Sequence, residues 1–103
     1  MVIVLIRTQL RADADHASYE ALNAQMYELV QTMPGFLGAQ GYTSSDGEEI
    51  GMVRFKTLED LRAWREHPDH LVVQQRGRSG FYQSYRIEVC EVVRAYDFTQ
   101  PPA

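Results

Sequence analysis

The chain opens on six apolar positions in a row, Met1-Val2-Ile3-Val4-Leu5-Ile6, before alternating through Arg7-Thr8-Gln9-Leu10. A β-branched run without polar alternation predicts a strand buried on both faces. Asp13 and Asp15 follow, and either can cap a helix by accepting an N–H of its first turn. Tyr19, Leu22, Met26, Leu29, Val30 and Met33 then recur at three- and four-residue steps, one apolar stripe on an amphipathic helix. Pro34-Gly35 ends it, since proline cannot continue a helix and glycine permits the left-handed turn. Residues 36–43 predict a second strand, Ser44-Ser45-Asp46-Gly47 a hairpin turn, and residues 49–56 a third strand. Thr57-Leu58-Glu59-Asp60 resembles a capping box, and Leu58, Leu61 and Trp64 form the inward stripe of a second helix. Pro68 breaks or restarts that helix, leaving a short piece over residues 69–76. Gly77 and Gly80 flank a loop, residues 81–98 predict the last strand, and residues 99–103 a flexible proline-rich tail.

The order β-α-β-β-α-β describes one α+β domain over residues 1–98, a ferredoxin-like split unit with an antiparallel sheet and helices on one face. The other face needs cover, because the first strand is apolar on both sides. The last strand agrees: Ile87, Val89 and Val93 share one side, Cys90 and Val92 the other. A second copy of the chain, related by a two-fold axis, would bury that face, so a homodimer is expected.

Composition narrows the partners. With 45% hydrophobic and 23% charged residues the chain is ordinary for a soluble domain. At 103 residues it buries only about two thirds of its unfolded surface, which a partner subunit would improve. The formal charge of −4 lacks the positive field that nucleic acid requires, and Arg76-Gly77-Arg78 is a spot, not a stripe. The apolar start is far shorter than a membrane span of roughly 20 residues. It also lacks the basic region and cleavage site of a signal peptide. The single cysteine, Cys90, excludes an internal disulfide and suits a reducing compartment. A cytoplasmic protein without nucleic-acid or membrane partners is expected. No phosphate loop, dinucleotide fingerprint or Ser-His-Asp set is present, and no cofactor is expected.

Several landmarks, taken together, carry a resemblance. They are Pro34-Gly35-Phe36-Leu37-Gly38, the Asp46-Gly47 hairpin, Phe55 before the helix and Trp64 within it. His67-Pro68-Asp69-His70 and Arg76-Gly77-Arg78 leading to Tyr82 complete the set. From residue 2 to about residue 98 the chain resembles the antibiotic biosynthesis monooxygenase domain of the dimeric α+β barrel superfamily. That resemblance implies a homodimeric α+β barrel with a pocket in each protomer between helices and sheet. Some such proteins oxidise polycyclic phenols to quinones with O2 and no cofactor; others bind and degrade haem. The quinone-forming members place a Trp at the end of the third strand and an Asn four residues earlier, where this chain has Phe55 and Gly51. The haem degraders use a first-strand Asn, a helix Trp and a His ten residues beyond it. Here Ile6 or Arg7, Trp64 and Gln74 stand at those places.

The candidate chemistry follows from residue types. His67 and His70 form an H-x-x-H, a spacing at which two imidazoles can share a metal, but Pro68 disturbs the register and no metal site is assigned. His70 is the candidate general base, because imidazole titrates near neutral pH. Trp64 is either core packing or a platform that stacks on a flat substrate and donates its N–H. Asn23 and Tyr27 lie beside the first helix's apolar stripe, where a polar group bonds a ligand, backbone or water. Arg7 either anchors an acidic or phenolate group or pairs with a neighbouring Asp or Glu. Phe55 and Tyr82 complete the expected pocket wall, with Tyr82 and Tyr85 on opposite faces of the last strand. Arg76 and Arg78 read as solvated or subunit-pairing residues, and Cys90 as a core residue. The function expected is cofactor-independent oxidation of an electron-rich aromatic or hydroquinone by O2, with a non-catalytic small-ligand or haem-binding dimer as the alternative.

Overall fold

The computed structural model describes residues 1–102; the last residue of the expected tail lies outside them. The elements are β1 (Val2–Leu10), α1 (His16–Val30), β2 (Phe36–Thr43), β3 (Glu49–Phe55), α2 (Leu58–Arg65), α3 (Pro68–Gly80) and β4 (Tyr82–Glu91). The sheet is antiparallel with strand order β2-β3-β1-β4. This is the ferredoxin-like α+β arrangement, its second helix divided at Pro68. Among the described residues, no helix is long and apolar enough to cross a membrane.

Local chemistry sets the boundaries. Asp15 caps α1, accepting the Ser18 N–H at 3.2 Å and its hydroxyl at 2.8 Å. Asp13 is spent on Arg11, at 2.8 Å. Thr57 caps α2 by accepting the Asp60 N–H at 3.1 Å. Gly35 turns the chain with φ +77° and leaves no room for a Cβ against the Asp60 side chain. His67 caps α3: its Nδ1 accepts the Asp69 N–H at 3.2 Å. Pro68 follows at the first helical position, where its missing N–H costs nothing.

Two boundaries differ from expectation. Helix α3 runs through Gly77 to Gly80, so the glycines do not flank a loop. Gly77 is buried because the Tyr82 ring lies over it: a Cβ there would stand 2.5 Å from the ring edge. Strand β4 ends at Glu91, well short of residue 98. Val2 of the neighbouring β1 pairs with Glu91, and the Val92 N–H donates to the Met1 carbonyl at 3.0 Å. Beyond it, the apolar residues Val93, Tyr96 and Phe98 stay exposed.

Alternation along β1 sorts the sheet into two faces. Val2, Val4, Ile6, Thr8 and Leu10 face the helices; Ile3, Leu5, Arg7 and Gln9 face away. The helix side carries two core clusters. One joins Val2 and Val4 to Val30, Phe55, Leu61 and Trp64, with Phe55 fully buried. The other joins Ala14, Leu22 and Phe81 to Leu10, Tyr19 and Tyr82. Neither includes a residue from the far face. Cys90, expected in the core, is exposed there opposite Ile3.

Candidate functional site

Between the two clusters the sheet and helices do not close, and a cavity of about 550 Å³ remains. Its sheet wall is Val4, Ile6, Val53, Ile87 and Val89; α1 adds Met26, Val30, Asn23 and Tyr27. Trp64 comes from α2, and His70, Val73, Gln74 and Arg78 from α3. Tyr19, Tyr82 and Tyr85 form an aromatic end: Tyr82 lies edge-on to Tyr19, with ring centres 6.2 Å apart. Ile87 and Val89 are each about half exposed, so the cavity opens along β4.

Six of the seven expected site residues line this space: Asn23, Tyr27, Phe55, Trp64, His70 and Tyr82. Arg7 does not. It lies on the far face, where its guanidinium pairs with Glu48 at 3.1 Å and Glu88 at 3.4 Å, the ion-pair alternative considered for it.

Trp64 and His70 form a stacked pair in the cavity. Their rings stack with centres 4.2 Å apart and planes inclined by 16°. His70 Nδ1 lies 3.2 Å from the Trp64 carbonyl oxygen, which can only accept, so Nδ1 carries the proton. Gln74 Nε2 at 3.4 Å is the weaker contact, and the amide suits this tautomer with its oxygen turned toward the ring. Nε2 of His70 and Nε1 of Trp64 have no protein partner among the described residues. No buried side-chain nitrogen or oxygen is left unsatisfied there, so both atoms are accessible to water or a ligand. Burial lowers the His70 pKa; the Trp64 carbonyl opposes that shift and the neighbouring His67 adds to it. The imidazole is therefore neutral at pH 7, with an available lone pair on Nε2.

Tyr82 differs. Burial, then Tyr19 and Tyr85, pushes its phenol up to about 12, so it stays protonated. Tyr82 and Tyr85 both face the cavity, contrary to simple alternation. Gln9 pairs with Ser84 but Leu10 with Tyr82, so Gln83 is an extra residue and the bulge returns Tyr82 to the face of Tyr85. The same extension of α3 that buries Gly77 brings in Arg78, which sequence reasoning left outside the pocket. Its Nε donates to the Tyr85 hydroxyl at 3.1 Å.

Among the described residues no three His, Cys, Asp or Glu side chains are grouped to hold a metal ion. The place of the haem-binding His is taken by Gln74, which lines the cavity. An amide is not among the groups that ligate haem iron, so the residues do not fit that mode of haem ligation.

Comparison with known proteins places the cavity in context. The chain is similar to the uncharacterised protein YqjZ of Bacillus subtilis, 29% identical over 90 residues covering 87% of this chain and 78% of that one. In structure it is similar to Rv0793 of Mycobacterium tuberculosis, with TM-score 0.80 and 23% identity over 93% of this chain and 98% of that one. It is also similar to SnoaB of Streptomyces nogalater, described as a cofactor-independent oxygenase. There the TM-score is 0.76 and the identity 14%, over 91% of this chain and 94% of that one. At these identities the structural likenesses speak for the fold. The family model for antibiotic biosynthesis monooxygenases matches residues 1–76, from β1 into the middle of α3. That match spans β1, α1, β2, β3 and α2 and takes in α3 as far as residue 76, and the chain belongs to the antibiotic biosynthesis monooxygenase family.

Proposed function

We propose that the protein is a cofactor-independent monooxygenase that oxidises an electron-rich, flat aromatic or hydroquinone-type molecule with O2. The observation that carries this reading is the Trp64–His70 stack on the wall of a largely apolar cavity, with an unpartnered imidazole nitrogen. His70 Nε2 takes the proton of a phenolic substrate held against the apolar sheet wall. The resulting anion passes one electron to O2, and the radical pair recombines at ring carbon as a peroxide. Loss of water then leaves a quinone carbonyl: one oxygen atom enters the product, the other leaves in water, and the substrate supplies the electrons. The chain's contribution is orientation, proton abstraction and exclusion of bulk water. Trp64 offers an indole N–H to a substrate oxygen. Asn23 and Tyr27 stand at the α1 rim to receive polar substituents, while Phe55 and Tyr82 bound the two ends.

The SnoaB likeness supports the class of reaction, and the family supports the pocket. The active unit in this reading is a homodimer, whose second copy covers the far sheet face. One observation favours the alternative, a module that binds a small apolar ligand without turnover. Phe55, at the strand end where quinone-forming relatives carry a Trp, is fully buried and has no N–H to offer.

Oxygen uptake by metal-free protein, measured with anthrones and dihydroxynaphthalenes, separates the two. The monooxygenase reading expects uptake with quinone formation, and a loss of about 100-fold or more in His70→Ala. Aerobic incubation that returns bound ligand unchanged would establish the binding module instead.

A further inference from the structure

We propose that Arg78, steadied by Tyr85 at the open edge of the cavity, is the anchor for an ionised carboxylate carried by the aromatic ligand. The inference rests on the reading above that the cavity takes a flat aromatic molecule, and it adds the second functional group of that molecule. Arg78 lines the cavity, and its Nε donates to the Tyr85 hydroxyl at 3.1 Å. Among the described residues no carboxylate lies within 4.0 Å of it. With Nε committed, the two terminal nitrogens present parallel N–H groups, the fork that matches both oxygens of a carboxylate. Tyr85 gives a lone pair to Arg78 and keeps its hydroxyl proton to donate to the same ligand oxygen. An arginine in the last turn of a helix is ordinarily placed for the helix dipole. Here the side chain instead reaches β4, where its charge meets the cavity.

The balance of charge agrees. The charged lining residues are Arg65, Arg78 and Glu49, two cations to one anion in a chain of net charge −4, and His70 is neutral. Glu49 accepts the Thr43 hydroxyl at 3.2 Å. The spacing then describes the ligand. His70, Gln74 and Arg78 are successive four-residue steps on the cavity-facing side of α3, so about 12 Å of helix separates base from anchor. Sheet register gives a similar length. Val4 and Val89 pair near the Trp64 end and Thr8 and Tyr85 four residues on, roughly 13 Å along the strand. A ligand meeting both ends has several fused rings or one ring system with an arm, the oxidisable phenol near His70 and the acid near Arg78.

Titration calorimetry with anthracene-2-carboxylate and its neutral carboxamide tests the anchor without requiring turnover. Wild-type protein is expected to bind the carboxylate at least about tenfold more tightly, as one charge-assisted fork implies. Arg78→Met should abolish that preference by weakening the carboxylate far more than the carboxamide, and Tyr85→Phe should reduce it. Equal affinity for the two probes, no binding of either, or a preference that survives Arg78→Met would overturn the proposal. The oxidation reading fails separately: carboxylate preference lost in Arg78→Met, with no oxygen uptake on any phenol, would retain the anchor and discard the monooxygenase.

Discussion

At the scale of single residues, environment decides what each titratable group can do. His70 and Tyr82 share one cavity, and burial favours the neutral form of both, leaving the imidazole a free lone pair and the phenol its proton. The His70 shift has a consequence for stability. Its folded pKa lies below the ordinary 6.5, so the unfolded chain binds more protons just below that pH. Stability supplied by keeping this imidazole neutral is complete above pH 6.5 and declines as pH falls through the folded value. Urea unfolding between pH 5 and 7.5 should show that decline, and His70→Asn should flatten it. An unchanged slope in the variant would mean that His70 is not the group responsible. This behaviour was not legible from residue type. The sequence marked His70 as titrating near neutrality, but the Trp64 stack and carbonyl contact that fix its tautomer are tertiary.

At the scale of elements, α3 and β4 carry the surprises, and they are coupled. Read alone, Gly77 and Gly80 predict a helix end, because glycine is poor in helix interiors. In the fold Gly77 serves another purpose: it lets the Tyr82 ring press onto the helix backbone. Gly77→Ala would improve intrinsic helix propensity yet force the ring aside, so the variant should be less stable by about 1–3 kcal/mol, the usual cost of overpacking. Thermal unfolding measures this, and a more stable variant would show that the ring relocates freely. Ending the predicted helix at residue 76 also hid the four-residue series His70, Gln74 and Arg78, the one sequence signal that would have placed Arg78 on the cavity side. The bulge at Gln83 was hidden likewise, since nothing in Tyr82-Gln83-Ser84-Tyr85 breaks the alternation of a regular strand.

At the scale of the whole molecule, the far face of the sheet is an apolar surface left open to solvent. Ile3, Leu5, Ile50 and Met52 lie there side by side, ringed by Arg7, Glu48, Arg54, Arg86 and Glu88. No core cluster among the described residues covers them. Sedimentation equilibrium should show a dimer at micromolar concentration. Leu5→Glu, which sets a carboxylate beside Glu88 in the middle of that face, should shift it to monomer with the helical content retained. A wild-type protein that sediments as a monomer at every concentration would leave the face to another partner.

The amino-acid order by itself determined the strand and helix sequence, a cap for the first helix at Asp13 or Asp15, the Thr57 cap, the turns at Gly35 and Gly47, and the apolar stripes that build both cores. These depend on local propensity and on periods of 2 and 3.6, which neighbouring residues express without help. It also marked Trp64, His70, Asn23, Tyr27, Phe55 and Tyr82, which the fold gathers around one space. Only the tertiary structure decided that Arg7 faces away into an ion pair, that Arg78 turns inward to Tyr85, and that α3 runs on past Gly77. It also decided that β4 ends at Glu91, opposite Val2 of β1. The reason is common to all four. Each depends on which groups, far apart in the chain, come to lie opposite one another, and neither periodicity nor propensity carries that information.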